Sequence, residues 1–193
     1  AIQSNKYLQT TNPAVYTVGD SANSYMFSHG AEKMVRMLWR NLLIPIFKQK
    51  NSMEDLSWVT FTDPQVAHFG LTEKQLQDQG IDFYRQDQSL EVDDRAIIQE
   101  YTYGHQSLWM EYSSILSNRN LLSGSLIAPN AGKLMQELEL AKHADISIST
   151  INSRVYPYPV QSRINQKTIR GVMEKTYTEW KKKLARMAFR LWH

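Results

Sequence analysis

Val59-Thr60-Phe61-Thr62-Asp63-Pro64-Gln65-Val66-Ala67-His68-Phe69-Gly70-Leu71-Thr72-Glu73 reads as strand, turn, strand and helix start in one short stretch. Two β-prone runs, Leu56 to Phe61 and His68 to Leu71, flank Asp63-Pro64, a turn signal. Gly70 lets a neighbouring backbone approach closely. Thr72-Glu73 opens a short helix that closes at Gly80, a natural position just past a helix end. Ile81 to Arg85, His105 to Tyr112 and Leu121 to Ala128 are further short strand-like runs between turn residues. Asn130 to Ala144 has helical spacing, with Leu134, Leu138 and Ala141 on one side. Strands followed by helices predict an α+β domain, an antiparallel sheet of about five strands with flanking helices.

Toward the N-terminus the pattern differs. Thr11-Asn12-Pro13 is a turn signal, and the β-prone run Ala14 to Val18 stops at Gly19-Asp20. Ser28 is the expected N-cap of a helix whose apolar stripe is Ala31, Met34, Val35, Leu38, Trp39 and Leu42, ended by Pro45. Residues 1–50 therefore read as strand, loop and helix, and residues 51–162 as the α+β domain. Tyr156-Pro157-Tyr158-Pro159 cannot be helical. Beyond it, residues 163–193 hold a helical period from Ile169 to Leu191 and form a basic amphipathic tail, broken at most once.

Composition narrows the function classes. Of the 193 residues, 42% are apolar and 21% charged, the make-up of an ordinary soluble globular chain with a buried core. No signal peptide and no run long enough to span a membrane is visible, so a cytoplasmic protein is expected. Cysteine is absent, which removes disulfides, thiolate metal sites and cysteine nucleophiles from this chain. The five histidines show no metal-ligand spacing, so no metal site is expected. The net charge of +3 arises in the tail: residues 163–193 hold nine Lys/Arg against two Glu. With an acidic body and no reading motif, nucleic acid is not an expected partner.

Gly19-Asp20 has a specific chemical use. A carboxylate at the carboxyl end of a strand accepts hydrogen bonds from vicinal hydroxyls, and a following helix turns its positive end and free N–H groups to a ligand. The same dipeptide also reads as a plain turn with an exposed carboxylate, and His29 as an ordinary helix-start residue.

Thr10 through Asp20, TTNPAVYTVGD, resembles the second FAD-contacting motif of the pyridine nucleotide–disulfide oxidoreductases, which include dihydrolipoamide dehydrogenase, glutathione reductase and mercuric reductase. Tyr25-Met26-Phe27-Ser28-His29-Gly30-Ala31 is similar to the stretch that opens the helix beneath the isoalloxazine in that family. Val59 to Glu73 is similar to the opening of the family's dimerisation domain. Asp93-Asp94-Arg95-Ala96-Ile97, Gly104, Leu122-Ser123-Gly124 and Pro129 to Leu138 continue the pattern in order. The resemblance covers about residues 8 to 165. It implies FAD as cofactor, bound through the Asp20 carboxylate to its ribityl chain and through the backbone around Phe27, Ser28, His29 and Ala31 to its pyrimidine edge. It also implies NAD(P)H as electron donor, a homodimer, and a disulfide, metal ion or other small molecule as acceptor. Residues 1–50 would be the end of the FAD domain.

The departures matter for chemistry. Many members carry a His-Pro…Glu segment whose His is the acid–base catalyst toward the partner's flavin. Here Tyr158 stands at the His position and Arg163 at the Glu position. An ordinary tyrosine, titrating near about 10, does not relay protons near neutrality as histidine does. A tyrosine there points toward mercuric-reductase-like members, although their terminal cysteine pair is absent. There is no G-x-G-x-x-G after a strand and no redox cysteine pair. The expected reading is the dimerisation portion of an FAD-dependent oxidoreductase, not catalytic alone. The alternative is an interaction module whose basic helix docks on a membrane or a partner, with Trp180, Phe189 and Trp192 beside the lysines.

Overall fold

The computed structural model describes residues 2–22, 26–54, 56–101, 103–112, 120–176 and 179–192, which form two compact units, Ala1–Leu56 and Ser57–His193.

The first unit is small. Isolated bridges, Ser4↔Thr10 and Gln9↔Tyr16, hold residues 2–17. The β-prone run at 14–18 thus finds only the preceding residues to pair with: Thr10 N–H donates to Val15 O and Thr17 N–H to Leu8 O, both at 2.9 Å. A 3-10 turn at Gly19–Ala22 follows, then α1 (Ser28–Leu43), with Pro45 in a further 3-10 turn beyond its end. Leu8, Met34 and Met37 make the core, with Val18, Ala22 and Met53 against it. The expected apolar stripe of α1 is only partly used. Met34 is buried, but Val35, Trp39 and Leu42 are exposed, because three core residues cannot cover a helix face of four turns. Buried Asn41 ties the chain back, donating to Gln49 O at 2.8 Å and accepting from Gln49 N–H at 2.7 Å.

The second unit is built on a five-stranded antiparallel sheet. In chain order it runs β1 (Trp58–Thr60), β2 (Gln65–Gly70), α2 (Glu73–Asp78), β3 (Phe83–Ser89), α3 (Asp94–Ile98), β4 (His105–Glu111), β5 (Leu121–Ala128), α4 (Ala131–His143), α5 (Ile148–Ser153), α6 (Arg163–Thr176) and α7 (Glu179–Trp192). The strand order is β1-β2-β5-β4-β3, all pairs antiparallel. Thr72 caps α2 in a reciprocal box with Gln75, and Gly70 takes a φ of +77°. A Cβ on Gly70 would lie 2.2 Å from Leu122 O, so β2 and β5 approach there as only glycine allows.

Alternation along the strands assigns the faces. Ala67 and Phe69 of β2, Leu108 and Met110 of β4, and Leu126 and Ala128 of β5 form one core with Leu134 and Leu138 of α4 and Ile164, Ile169 and Val172 of α6. Residues 163–176, expected in a separate tail, are therefore a core helix packed on β3, β4 and α5. A polar relay seats it. Gln106 Nε2 donates to Asn165 Oδ1 at 2.7 Å. Asn165 Nδ2 donates to Leu134 O at 3.0 Å and Glu137 Oε2 at 3.1 Å. The Thr168 hydroxyl donates to Gln106 Oε1.

The opposite face carries Trp58, His68, Ser125, Trp109, Arg85 and Asp87. His68 Nε2 lies 3.1 Å from Gly70 O, which can only accept, so Nε2 holds the proton and Nδ1 accepts from the Ser125 hydroxyl at 2.8 Å. Burial pushes the imidazole below its ordinary value, and the hydrogen bond to Gly70 O opposes this only in part.

Two outcomes are expected. Gly70→Ala forces a side chain into the left-handed region and against Leu122 O, costing at least about 2 kcal/mol in a denaturant titration. Since His68 titrates lower when folded, the unfolded chain binds the proton first. Stability then falls as pH drops through about 6.5, and His68→Gln flattens that slope in unfolding curves taken between about pH 7 and about pH 5.

Candidate functional site

The expected site residues fall into two groups, one in each unit. In the first, Gly19 has a φ of +66°, and a Cβ there would meet Ala31 Cβ at 3.2 Å, so the 3-10 turn lies against the first turn of α1. Gly19 N–H also points to Met34 Sδ at 3.1 Å. Asp20, next in that turn, is exposed. Phe27, not Ser28, is the N-cap, with φ −123° and ψ 136°, and no side chain caps the helix. Ser28 enters the helix itself and is exposed, because the β-region residue that turns the chain into α1 falls one position earlier. The Phe27 and His29 rings stack with centroids 5.3 Å apart. Asp20, Phe27, Ser28, His29 and Ala31 thus gather at one corner. It presents a carboxylate acceptor and the positive end of a sixteen-residue helix that lacks a side-chain cap. Tyr25 of the same motif lies outside the described residues.

In the second unit Tyr158 is 67% exposed on the segment between α5 and α6. Its hydroxyl has no hydrogen bond among the described residues. The Arg163 guanidinium carbon lies 5.1 Å from its ring centroid, the geometry of a cation–π pair, and Arg163 reaches Asp94 at 3.9 Å. Tyr158 and Arg163, read as standing at the positions of a His–Glu pair, thus form a cation–π pair. The peptide bond between Tyr158 and Pro159 is cis.

What holds this segment is Glu137 of α4. Its Oε1 accepts from the Tyr156 hydroxyl at 2.5 Å and from the Arg154 guanidinium, and its Oε2 from Asn165. Gln166 Nε2 donates to Asn152 O and Arg154 O, both at 2.7 Å, and Gln161 Nε2 to Pro129 O at 3.0 Å. Burial first, then the adjacent Glu137, pushes the Tyr156 phenol well above its ordinary value, so it stays a donor to Glu137. Two tyrosines two residues apart have opposite fates, Tyr156 locked inward and Tyr158 presented outward. Glu137 was not legible as an anchor, since its partners stand 17, 19 and 28 residues further along the chain.

Among the described residues no three His, Asp or Glu side chains are gathered as a metal site would need, and no helix is long and apolar enough to cross a membrane.

Comparison with known proteins bears on the family and the fold. The profile of the family described as "Pyridine nucleotide-disulphide oxidoreductase, dimerisation domain" matches residues 56–168. A mercuric reductase of Staphylococcus aureus is 27% identical over 157 residues, covering 81% of this chain and 28% of the relative. A dihydrolipoyl dehydrogenase of Mycoplasma pneumoniae is 29% identical over 157 residues, covering 80% of this chain and 33% of its own length. The chain thus spans about a third of the length of these curated relatives. Among solved structures, the HOCl-induced flavoprotein disulfide reductase RclA from Escherichia coli shares the fold with a TM-score of 0.73 at 18% identity, over 88% of this chain and 40% of that one. More than half of the sequence lies within the matched region, and the chain belongs to the pyridine nucleotide–disulphide oxidoreductases, with residues 56–168 as its dimerisation domain.

Proposed function

We propose that this chain supplies the two-fold interface and part of the active site of an FAD-dependent NAD(P)H oxidoreductase, and that it does not catalyse alone. The observation that carries the reading is the folded dimerisation domain of residues 56–168, with Tyr158 exposed on a rigidly anchored segment. In an isologous dimer such a segment is placed to serve the other subunit's site.

The corner at Gly19 to Ala31 fits one edge of a flavin. Asp20 is an exposed acceptor for ribityl hydroxyls, and the start of α1 offers N–H groups and a positive dipole end to a pyrimidine carbonyl. The close approach of Gly19 to Ala31 keeps the carboxylate and the helix end together. Bound FAD would supply hydride acceptance from NAD(P)H and electron delivery to the acceptor. This chain's own part is to hold the hydroxyl chain and to face the pyrimidine edge. The exposed Val35, Trp39 and Leu42 support the first unit's being one part of a larger FAD domain. Tyr158, without a hydrogen bond among the described residues and backed by Arg163, is suited to touching an acceptor as a hydroxyl donor in place of a histidine proton relay. A disulfide or a metal ion both suit a tyrosine at that position.

A second reading is favoured by α7, where Leu184, Met187, Leu191 and Trp192 are exposed on the helix that also carries Lys183, Arg186 and Arg190. Such a helix docks on an anionic membrane surface.

The full chain is expected to run as twice its 22.4 kDa mass in size-exclusion light scattering, to retain no flavin colour and to leave NADPH unoxidised. A monomer throughout the micromolar range would remove the interface role, and NADPH turnover would remove the claim of dependence. Membrane docking predicts co-sedimentation with anionic vesicles that vanishes on deleting residues 179–192 and weakens with salt. Equal pelleting of the truncated chain would exclude it.

A further inference from the structure

Between the start of α3 and α6 lies a cleft of about 130 Å³, with Pro159 and Val160 along one side. Four cations line it: Arg95 from α3, and Arg163, Lys167 and Arg170 from α6. The last three stand at i, i+4 and i+7, one stripe of a helix, where like charges repel.

Asp93 and Asp94 also line the cleft, so four cations face two carboxylates and the lining keeps a net positive charge. Asp93 is buried, and its Oδ2 is occupied in capping α3, accepting from Arg95 N–H at 3.1 Å and Ala96 N–H at 3.2 Å. Among the described residues Asp94 pairs with Arg163 alone, at 3.9 Å and with both side chains well exposed to water, a pairing worth little. Lys167 Nζ donates to Val92 O, a neutral partner that leaves its charge uncompensated. Arg95 and Arg170 have no ion-pair partner among the described residues. The first N–H groups of α6 are already taken, Arg163 N–H by Val160 O and Ile164 N–H by Gln161 O, both at 3.2 Å. Anything anionic that enters must be held by side chains.

We propose that this cleft binds a phosphate group, as the free ion or as the terminal phosphate of a small molecule. Guanidinium groups fork onto phosphate oxygens, and two or three of them around one dianion form short, charge-assisted hydrogen bonds. A bound dianion also removes the mutual repulsion along α6. The cleft has room for a compact tetrahedral oxyanion, and its floor is rigid, since Gln166 is held by Asn152 O and Arg154 O. Arg163 serves two surfaces, the cleft and the Tyr158 ring, so occupancy is felt at Tyr158. The proposal rests on the cleft alone and does not depend on any chemistry of Tyr158 or on flavin binding.

The test is a titration of the full chain with sodium phosphate against sodium chloride at matched ionic strength, followed by the arginine Nε–Hε resonances. Saturable shifts at Arg95, Arg163 and Arg170 with phosphate and not with chloride are expected. Arg170→Gln, at an exposed position, should weaken phosphate binding about tenfold, a loss of one charge-assisted contact. Lys133→Gln, outside the cleft, should leave it unchanged. Phenyl phosphate tighter than inorganic phosphate assigns the cleft to an esterified ligand, and the reverse assigns it to the free ion. Non-saturable shifts, equal affinity of wild type and Arg170→Gln, or acetate binding as tightly as phosphate would each overturn the proposal.

Discussion

The side-chain relay from Gln106 through Asn165 to Glu137 is the constraint on which the second unit is organised. Gln106 sits in the middle strand of the β5-β4-β3 segment, Asn165 opens α6, and Glu137 belongs to α4. Gln106 and Asn165 are almost wholly buried, and a lost partner there costs about 1–3 kcal/mol for each group left unpaired. Apolar packing would let α6 slide or rotate over the sheet at small cost, whereas amide hydrogen bonds accept only one placement. The relay therefore sets the register of α6. Through Glu137 it also sets the segment that carries Tyr158 and one wall of the cationic cleft.

Much of this architecture could be read in advance where the signal is local. Thr72-Glu73 at the start of α2, Gly70 at a close approach and the short runs that become β4 and β5 each announce themselves within a few residues. Asn130 enters α4 in the left-handed region, a conformation asparagine tolerates, one residue from the expected start. Legibility fails where a residue's role depends on distant chain. The apolar stripe of α1 says that a face is greasy, not what covers it, and the charge count of residues 163–193 hides a core helix followed by an exposed one. The five-residue α3 and six-residue α5 are too short for a period to show, and both depend on capping side chains, Asp93 and Ser147. At the candidate sites, the family pattern proposes Asp20 and Tyr158, but the contacts around them, Gly19 against Ala31 and Glu137 beneath the segment, emerge only when the chain is folded.

The pair Tyr156 and Tyr158 shows how one segment separates holding from presenting. Tyr156 is a fixed internal donor, stacked with Arg154 and bonded to Glu137, and carries no exposed chemistry. Among the described residues Tyr158 makes no hydrogen bond and is backed by the guanidinium of Arg163. The support survives a change of the presented residue, since none of its hydrogen bonds runs through that side chain. The frame of this segment is thus independent of the side chain that stands at position 158.

The order β1-β2-β5-β4-β3 leaves two strands at the margins of the sheet, and both are poor templates for further pairing. β1 is only three residues long. On β3 the open positions carry Arg85 and Asp87, bound to each other and to Glu73 and Ser107. A short margin on one side and a charged, cross-braced margin on the other discourage a neighbouring chain from continuing the sheet. Copies of this domain that meet must do so through faces and helices, where side-chain shape selects the partner, and not by the indiscriminate backbone ladder that builds fibrils.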